Sequence, residues 1–141
     1  MRLRIVMADD DEDDVFLTER ALAATELPCD FRAVPDGAAL LQHLRSDGGR
    51  NGERPHLILL DLNMPKMTGH EALRELKADE DLRTIPVVVL TTSHMPADVQ
   101  ASYDAGAASY VCKPVSYEKL VDFYRTLHHW WGDLAELPGH D

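Results

Sequence analysis

One stretch of the sequence indicates the fold: His56-Leu57-Ile58-Leu59-Leu60-Asp61-Leu62-Asn63-Met64-Pro65-Lys66. Its run of consecutive apolar residues, 57–60, predicts a strand that is buried on both faces, which is typical of a parallel sheet. Asp61 follows directly and therefore lies at the carboxyl end of that strand, where open α/β sheets carry their chemistry. Taken alone, Asp61 fits equally well as a turn residue that forms local hydrogen bonds. The other strand ends must decide between these interpretations.

Further apolar runs alternate with segments of helical periodicity. Together with 57–60, the runs at 3–8, 31–34, 86–90 and 108–112 predict strands, each followed by a helix. This alternation requires a parallel sheet with right-handed crossovers. The second and fifth runs are the least uniformly apolar and belong at the edges. The sequence therefore predicts an α/β, flavodoxin-like (βα)5 doubly wound parallel sheet with strand order 2-1-3-4-5. Residues 46–55, rich in Gly and polar residues, predict a flexible loop.

Composition restricts the possible functions. A length of 141 residues fits one domain. The net charge of −11 argues against nucleic acid as a partner, and no apolar run is long enough to span a membrane. No charged-then-apolar signal begins the chain. We therefore expect a cytoplasmic protein whose two cysteines, Cys29 and Cys112, are reduced and unpaired.

Polar side chains follow the predicted central strands and the fifth. Asp9 and Asp10 end the first strand, Asp61 the third, Thr91 the fourth and Lys113 the fifth. Because the carboxyl ends of parallel strands share one edge, we expect these side chains to converge. Neighbouring carboxylates there would repel by up to ~4 kcal/mol per pair at an effective dielectric constant of about 20. They require a cation, and oxygen ligands with open positions suit Mg²⁺.

A carboxylate, a metal ion, an ammonium and a hydroxyl at one point are suited to phosphoryl transfer onto Asp61. Each group also has a simpler explanation. Asp9 and Asp10 can be solvated charge, Lys113 a surface lysine, and Thr91 a hydroxyl that leads into a helix. Their coincidence at matching strand ends favours the chemical interpretation.

The sequence also resembles a known family, on motifs that follow one another along the chain: Asp9-Asp10, Leu59-Leu60-Asp61-Leu62-Asn63-Met64-Pro65 with Gly69, Pro86-Val87-Val88-Val89-Leu90-Thr91, and Ala105-Gly106-Ala107 through Tyr110 to Lys113-Pro114. These motifs look like those of the receiver domain of two-component response regulators. The resemblance implies that Asp61 accepts a phosphoryl group from a phosphohistidine on a sensor histidine kinase. It further implies that Asp10, Asp61 and the backbone carbonyl of Asn63 bind Mg²⁺, with Asp9 acting largely through water.

The same resemblance implies a switch. Thr91 and Lys113 would bind phosphoryl oxygens, and Tyr110 would be the aromatic residue that turns inward as Thr91 moves. Thr92 is a small departure, since family members often carry Ala there, and its hydroxyl is expected to narrow solvent access and alter the lifetime of the aspartyl phosphate. Phosphorylation is expected to shift the fourth predicted helix, 96–103, between two arrangements, because this helix is predicted to be the least firmly held.

That helix offers only Val99 and Tyr103 as large apolar anchors. The last helix, which begins near Ser116, has a regular stripe that we expect to face the core: Tyr117, Leu120, Val121, Tyr124 and Trp131. Phe123 and Trp130 fall together on roughly the opposite side. Large aromatic residues outside a core stripe often mark contact surfaces. We therefore predict a homodimer contact through this helix and the neighbouring strand edge, the alternative being that the C-terminal tail covers them.

A finer resemblance concerns the opening Asp-Asp-Glu-Asp-Asp-Val at 10–15, the strand end Leu90-Thr91-Thr92-Ser93 and the Trp-containing tail. These features resemble stand-alone regulators paired with phytochrome-type kinases, which implies a red-light input. We expect residues 1–141 to form a single receiver domain with a C-terminal helix and short tail, and no output domain.

Other functions fit less well. A metal-dependent phosphohydrolase with an Asp nucleophile usually carries a second Asp two residues on, where this chain has Asn63. A flavin-binding electron carrier shares the predicted fold, but the acids at 9–14 would repel its phosphate. We therefore expect no enzyme activity beyond self-phosphorylation and autodephosphorylation at Asp61. A relay or sink that only passes phosphate on stays open beside a phosphorylation-controlled binding protein.

Overall fold

The computed structural model describes residues 2–46 and 54–138, in which strands and helices alternate. The strands are β1 (Leu3–Ala8), β2 (Cys29–Val34), β3 (Leu57–Leu60), β4 (Val87–Thr91) and β5 (Ser109–Cys112). The helices are α1 (Glu12–Thr25), α2 (Gly37–Arg45), α3 (Gly69–Ala78), α4 (Pro96–Asp104) and α5 (Tyr117–His128), and α5 runs on into a π-helical turn, His129–Leu134. Residues 47–53 of the predicted loop and 139–141 of the predicted tail lie outside the described residues.

All neighbouring strands pair in parallel, in the order β2-β1-β3-β4-β5. The predicted fold class and strand order are therefore confirmed. β2 and β5 form the two edges, and Cys29 and Cys112, which stand on them, are free thiols. β3 is buried at every residue, which is why its sequence is apolar throughout rather than alternating.

The sheet separates two cores. Alternate residues of each central strand point to opposite faces, so Ile58 and Leu60 enter one core and Leu57 and Leu59 the other. The first core receives the apolar faces of α2 and α3, and the second those of α1 and α5. The carboxyl ends of the strands project beyond both cores.

Side-chain caps fix where several helices begin. Asp11 accepts hydrogen bonds from the backbone at the start of α1, Asp36 caps α2, and Ser116 caps α5. Thr68 and Glu71 form a capping box at α3. These caps satisfy backbone N–H groups that a helix leaves unpaired. They also set where each loop leaves the strand end that precedes it.

Two packing predictions are wrong in part. Tyr117 does not belong to the core stripe of α5, because its side chain is 42% exposed at the first turn. Tyr103 is not an apolar anchor of α4, since it is 48% exposed and its hydroxyl accepts a hydrogen bond from Tyr110 N at 3.2 Å. All of α4 lies in the described region, and only Ser102 in it is buried. The prediction that apolar packing holds α4 weakly is therefore confirmed, although one of its two expected anchors faces solvent.

The aromatic residues of α5 and of the π-helical turn are not distributed between core and surface as predicted. Phe123 is partly buried against the second core and meets Tyr124 edge to face, with ring centroids 5.0 Å apart. Trp130 is 54% exposed. The helix continues past Gly132, where an added Cβ would lie 3.1 Å from the His128 ring. No helix of the described ranges is both long and apolar enough to cross a bilayer.

One buried hydrogen bond joins α1 to α5. Thr18 Oγ1 and Tyr124 Oη are 3.0 Å apart, and both side chains are buried. Burial raises the pKa of Tyr124, so the hydroxyl keeps its proton. A buried hydroxyl that loses its partner is destabilising.

We predict that Tyr124→Phe lowers the free energy of unfolding by about 1–2 kcal/mol, because Thr18 loses its buried partner. Denaturant titration monitored by circular dichroism measures it. Tyr117→Phe is the matched control, the same substitution at an exposed position of the same helix, and should leave stability within about 0.5 kcal/mol. Equal effects of the two substitutions would contradict a stabilising role for this hydrogen bond.

Candidate functional site

The residues that follow three strands are held by the neighbouring strand. The backbone N–H of Asp9 donates to Val34 O at 3.0 Å, that of Asp61 to Ala8 O at 3.0 Å, and that of Lys113 to Thr91 O at 2.8 Å. Each residue is therefore positioned by a continuation of the sheet ladder rather than by a free loop. This is how a sheet fixes side chains at its carboxyl edge.

Three carboxylates meet at that edge. Asp9, Asp10 and Asp61 each offer an oxygen, and these oxygens lie within 4.8 Å of one another. Asp9 and Asp61 are buried, whereas Asp10 is exposed, so the cluster opens to solvent on one side. Oxygen ligands close together with an open face fit a hard divalent cation such as Mg²⁺, which keeps several of its waters. Three of the residues predicted to hold a cation, Asp9, Asp10 and Asp61, are thus brought together.

Lys113 lies among these carboxylates. Its Nζ is 3.0 Å from Asp9 Oδ2, 3.0 Å from Asp61 Oδ2 and 2.6 Å from Asp14 Oδ2. Burial lowers the pKa of Lys113, but the hydrogen bonds to Asp14, Asp9 and Asp61 outweigh burial and raise it above its usual range. Lys113 is therefore a permanent cation, and it partly neutralises the cluster.

The two buried aspartates have different surroundings. Burial raises the pKa of Asp9, although its Oδ1 accepts a hydrogen bond from Asp11 N at 2.9 Å and its Oδ2 one from Lys113, and both oppose the rise. Asp61 Oδ1 accepts a hydrogen bond from Asn63 N at 3.3 Å, while its Oδ2 faces Lys113. One carboxylate oxygen of Asp61 therefore contacts the turn that follows the residue, and the other faces the centre of the cluster.

Gly69 determines how closely α3 approaches the loop after β3. A Cβ at this position would lie 2.3 Å from Asp61 O and 2.6 Å from Leu62 Cα, which no side chain can tolerate. The Gly69 N–H donates to Leu62 O at 2.9 Å. A glycine is required here because backbone packs directly on backbone. This contact holds the segment that carries Asp61 and Asn63.

Thr91 and Tyr110 lie on the β4–β5 side of the site. Thr91 is fully buried at the end of β4, and its Oγ1 accepts a long hydrogen bond, 3.5 Å, from Ser93 N. Tyr110 Oη donates to Ser93 O at 2.9 Å, and burial raises its pKa, so the hydroxyl remains a donor. Thr91 and Tyr110 are therefore linked through the backbone of Ser93. Thr92 is exposed.

Reasoning from the sequence missed Asp14. The acids at 11–14 fit the electropositive first turn of α1, and that explanation gave Asp14 no chemical part. Its partner, Lys113, lies 99 residues further along the chain, so no local spacing in the sequence signals the contact.

The polar contacts that hold α4 were also missed. Ser93 Oγ donates to Asp98 Oδ2 at 2.5 Å, and Ser102 Oγ donates to Asp98 O at 2.8 Å. Ser102 Oγ also shares a hydrogen bond of 3.0 Å with His70 Nε2 on α3. Side-chain hydrogen bonds thus replace much of the apolar packing that the other helices have.

This fold and this arrangement of carboxylates and lysine define a class of signalling domain. The family model for the response regulator receiver domain matches residues 5–125. The chain belongs to this family.

Comparisons with individual proteins agree. The chain is 37% identical over 135 residues to the response regulator Rcp1 of Synechocystis sp., covering 95% of this chain and 92% of Rcp1. It is 36% identical to the probable methanogenesis regulatory protein FilR2 of Methanothrix harundinacea, covering 96% of this chain and 87% of FilR2.

The solved structure of the phosphorylated cyanobacterial phytochrome response regulator RcpA superimposes with a TM-score of 0.88 at 36% identity, covering 99% of this chain and all of RcpA. The Mn²⁺-bound form of Rcp1 superimposes with a TM-score of 0.84 at 36% identity, covering 97% and 99%. The chain is thus a receiver domain homologous to phytochrome-associated regulators, with an acidic pocket typical of Asp phosphorylation and divalent-cation binding.

Proposed function

We propose that this protein accepts a phosphoryl group on Asp61 from a phosphohistidine of a sensor histidine kinase. One observation carries this assignment: Asp61 Oδ2 faces the centre of a carboxylate cluster and lies 3.0 Å from the ammonium of Lys113. An oxygen nucleophile beside a fixed positive charge is what transfer of a negatively charged group requires. The family match and the resemblance to Rcp1 and RcpA support the same assignment.

The cation of this site is Mg²⁺, bound by Asp10, Asp61 and the backbone carbonyl of Asn63, with Asp9 acting largely through water. The exposure of Asp10 supports this set, since Mg²⁺ retains waters on its open side. Mg²⁺ supplies charge neutralisation for the phosphoryl oxygens as they approach. The similarity to Rcp1, which has been solved in a Mn²⁺-bound form, supports a divalent ion in this protein.

The transfer itself is simple to balance. A carboxylate oxygen of Asp61 forms a bond to phosphorus, the bond between phosphorus and the histidine nitrogen breaks, and that nitrogen keeps the electron pair. Lys113 faces the phosphoryl oxygens with its ammonium, and Thr91 offers them its hydroxyl. The reaction is a single transfer in which the chain is itself the acceptor, so we infer no turnover of other phosphorylated substrates. Asn63, where phosphohydrolases of this type carry a second Asp, supports that inference.

The response begins at Thr91. When the phosphoryl group binds its hydroxyl, Thr91 moves toward Asp61 and its contact with Ser93 N, already 3.5 Å long, is lost. Ser93 also accepts from Tyr110 and donates to Asp98, so its displacement releases both the tyrosine and the start of α4. Tyr110 then turns inward and α4 shifts against β5.

The kinase is of the phytochrome type, an assignment that the similarity to the phytochrome response regulator RcpA supports. The output is a phosphorylation-controlled protein contact at α4, β5 and α5, and a relay or sink function is the second candidate. Cytoplasmic location follows from a kinase partner of this kind.

We also propose that two copies associate through α5 and the exposed edge of β5. An apolar groove of about 340 Å³ lies there between α5 and the strands, lined by Phe123, Trp130 and Trp131 among others. Trp130 projects from its rim, 54% exposed. An exposed tryptophan beside an apolar groove, next to an edge strand of the sheet, suits a self-complementary contact.

We predict that wild-type protein takes up label from acetyl phosphate only with Mg²⁺, and that Asp61→Asn takes up at least roughly a hundredfold less, because the nucleophilic oxygen is replaced by an amide. Asp30→Asn, an equal charge change at an exposed position of β2, should label normally. Retention of label by Asp61→Asn would place the acceptor elsewhere. Continuous release of phosphate from monoesters would instead favour a phosphohydrolase.

We predict that Thr91→Ala still accepts phosphate but does not transmit it to α4. In wild type, phosphorylation should change hydrogen exchange of the α4 amides several-fold, and in Thr91→Ala it should leave them unchanged. Thr92→Ala, the neighbouring exposed threonine, serves as the control and should respond as wild type does, whatever its phosphate lifetime. Equal responses of Thr91→Ala and wild type would rule out this coupling.

We predict that Trp130→Asp shifts the protein to the monomer in sedimentation experiments, because a charge cannot enter the apolar groove. Phe16→Asp, which places the same charge at a similarly exposed aromatic residue on α1, should sediment as wild type. Monomeric wild-type protein, with and without phosphorylation, would disprove the dimer. Loss of the dimer in both variants would show that disruption by the added charge is not specific to the surface around Trp130.

A further inference from the structure

Lys113 donates to more carboxylates than the proposed phosphoryl site needs. An ammonium has three N–H donors, and the distances of 3.0, 3.0 and 2.6 Å to Asp9, Asp61 and Asp14 show that all are used. The shortest of these contacts is to Asp14, which belongs to α1 rather than to a strand end. Its side chain is 31% exposed, compared with 0% for Asp9 and 9% for Asp61.

Lys113 and a divalent cation compete for the same oxygens. Asp9 and Asp61 belong to the carboxylate cluster that could hold a metal ion, and Lys113 already occupies one oxygen of each. A cation that enters the cluster also repels the ammonium. Lys113 must then withdraw from these two oxygens while remaining close enough to face a phosphoryl group.

Asp14 is placed to hold Lys113 during that exchange. It does not belong to the group of carboxylates, found in the described residues, whose oxygens could share one ion. Its position is fixed from both sides, because Asp11 caps the start of α1 and the buried Thr18–Tyr124 hydrogen bond anchors the next turn. A rigidly held carboxylate outside the cluster is a suitable partner for a displaced ammonium.

We propose that Asp14 is a positioning residue: it retains Lys113 when a divalent cation takes up Asp9 and Asp61, and so it sets the affinity of the site for that cation. The inference rests on the proposed function, because it takes the same cluster as the cation site. Asp14 touches neither the cation nor the phosphoryl group, and it acts only through Lys113. Without it, the ammonium is left with the carboxylates of the cluster itself and competes fully with the cation.

The experiment is a calorimetric titration of the unphosphorylated full chain with Mg²⁺ and, separately, with Mn²⁺. Asp14→Asn keeps the shape but removes the charge, and we expect it to weaken cation affinity by roughly tenfold, the lower end of losses that follow removal of an outer partner. Asp13→Asn is the matched control, since it removes the same charge from the neighbouring, exposed residue of the same helical turn. Equal affinities of Asp14→Asn and Asp13→Asn would overturn the inference, because only the general field would then matter.

Two further variants separate positioning from a structural role. In a Lys113→Met background, where no ammonium competes, Asp14→Asn should weaken affinity no more than Asp13→Asn does. A larger loss there would mean that Asp14 acts on the cation directly, which contradicts the proposal. Asp14→Glu should recover most of the affinity, and failure to do so while the fold remains intact by circular dichroism would also contradict it.

The titration does not depend on phosphorylation, so the two hypotheses fail in different ways. Wild-type protein that binds Mg²⁺ but takes up no label from acetyl phosphate would defeat the proposed function and leave the result for Asp14 standing. Normal labelling together with equal affinities of Asp14→Asn and Asp13→Asn would defeat the inference about Asp14 and leave the proposed function standing.

Discussion

The constraint on which the site depends is the accumulation of negative charge at one edge of a parallel sheet. β1 and β3 are neighbours, so the acids that end them cannot avoid one another. Carboxylates at such distances repel strongly unless a positive charge intervenes. Lys113 supplies that charge from the end of β5, two strands away, and its long side chain spans the end of β4 to reach the cluster. The fold therefore tolerates the acids only because the edge strand contributes a lysine.

The single positive charge of Lys113 does not neutralise all the carboxylates of this pocket. Lys113 contacts Asp9, Asp14 and Asp61, Asp10 lies close to Asp9 and Asp61, and the whole chain carries a net charge of −11. A pocket with excess negative charge attracts a divalent cation, and with the cation bound it can receive a phosphoryl group. Lys113 is thus a structural counter-ion and, on our proposal, also the competitor that a bound cation would displace. The same hydrogen bonds thus reduce repulsion among the carboxylates in the folded protein and, on our proposal, oppose binding of the cation.

The sequence was sufficient for the strands, their order and the polar residues at their ends. Continuous apolar runs such as 57–60 have one plausible placement, and a parallel sheet then brings its carboxyl ends together whatever the helices do. The helix faces were harder. Tyr117 shares the stripe of Tyr124 by periodicity, but it lies in the first turn of α5, beyond the reach of the core, and is exposed. Periodicity gives the direction of a side chain and not whether a neighbour is there to cover it. Asp14 was missed for a related reason, since a general electrostatic explanation was available for it and a specific partner 99 residues away was not visible.

The two sides of the site differ in how they are held, and this difference gives the response a direction. On the α1–α5 side, a buried hydrogen bond and an apolar core join the helices, and any movement there disrupts close packing. On the α4 side, the contacts are hydrogen bonds of Ser93, Asp98 and Ser102, with one buried residue in the helix. Hydrogen bonds of partly exposed groups, as at Ser93 and Asp98, can be exchanged for water at small net cost, whereas packed apolar groups cannot be separated without a larger loss of stability. On the proposed mechanism, a change at Thr91 would therefore move α4 and β5 in preference to α1, which would put the partner surface that responds to phosphorylation on that side of the molecule.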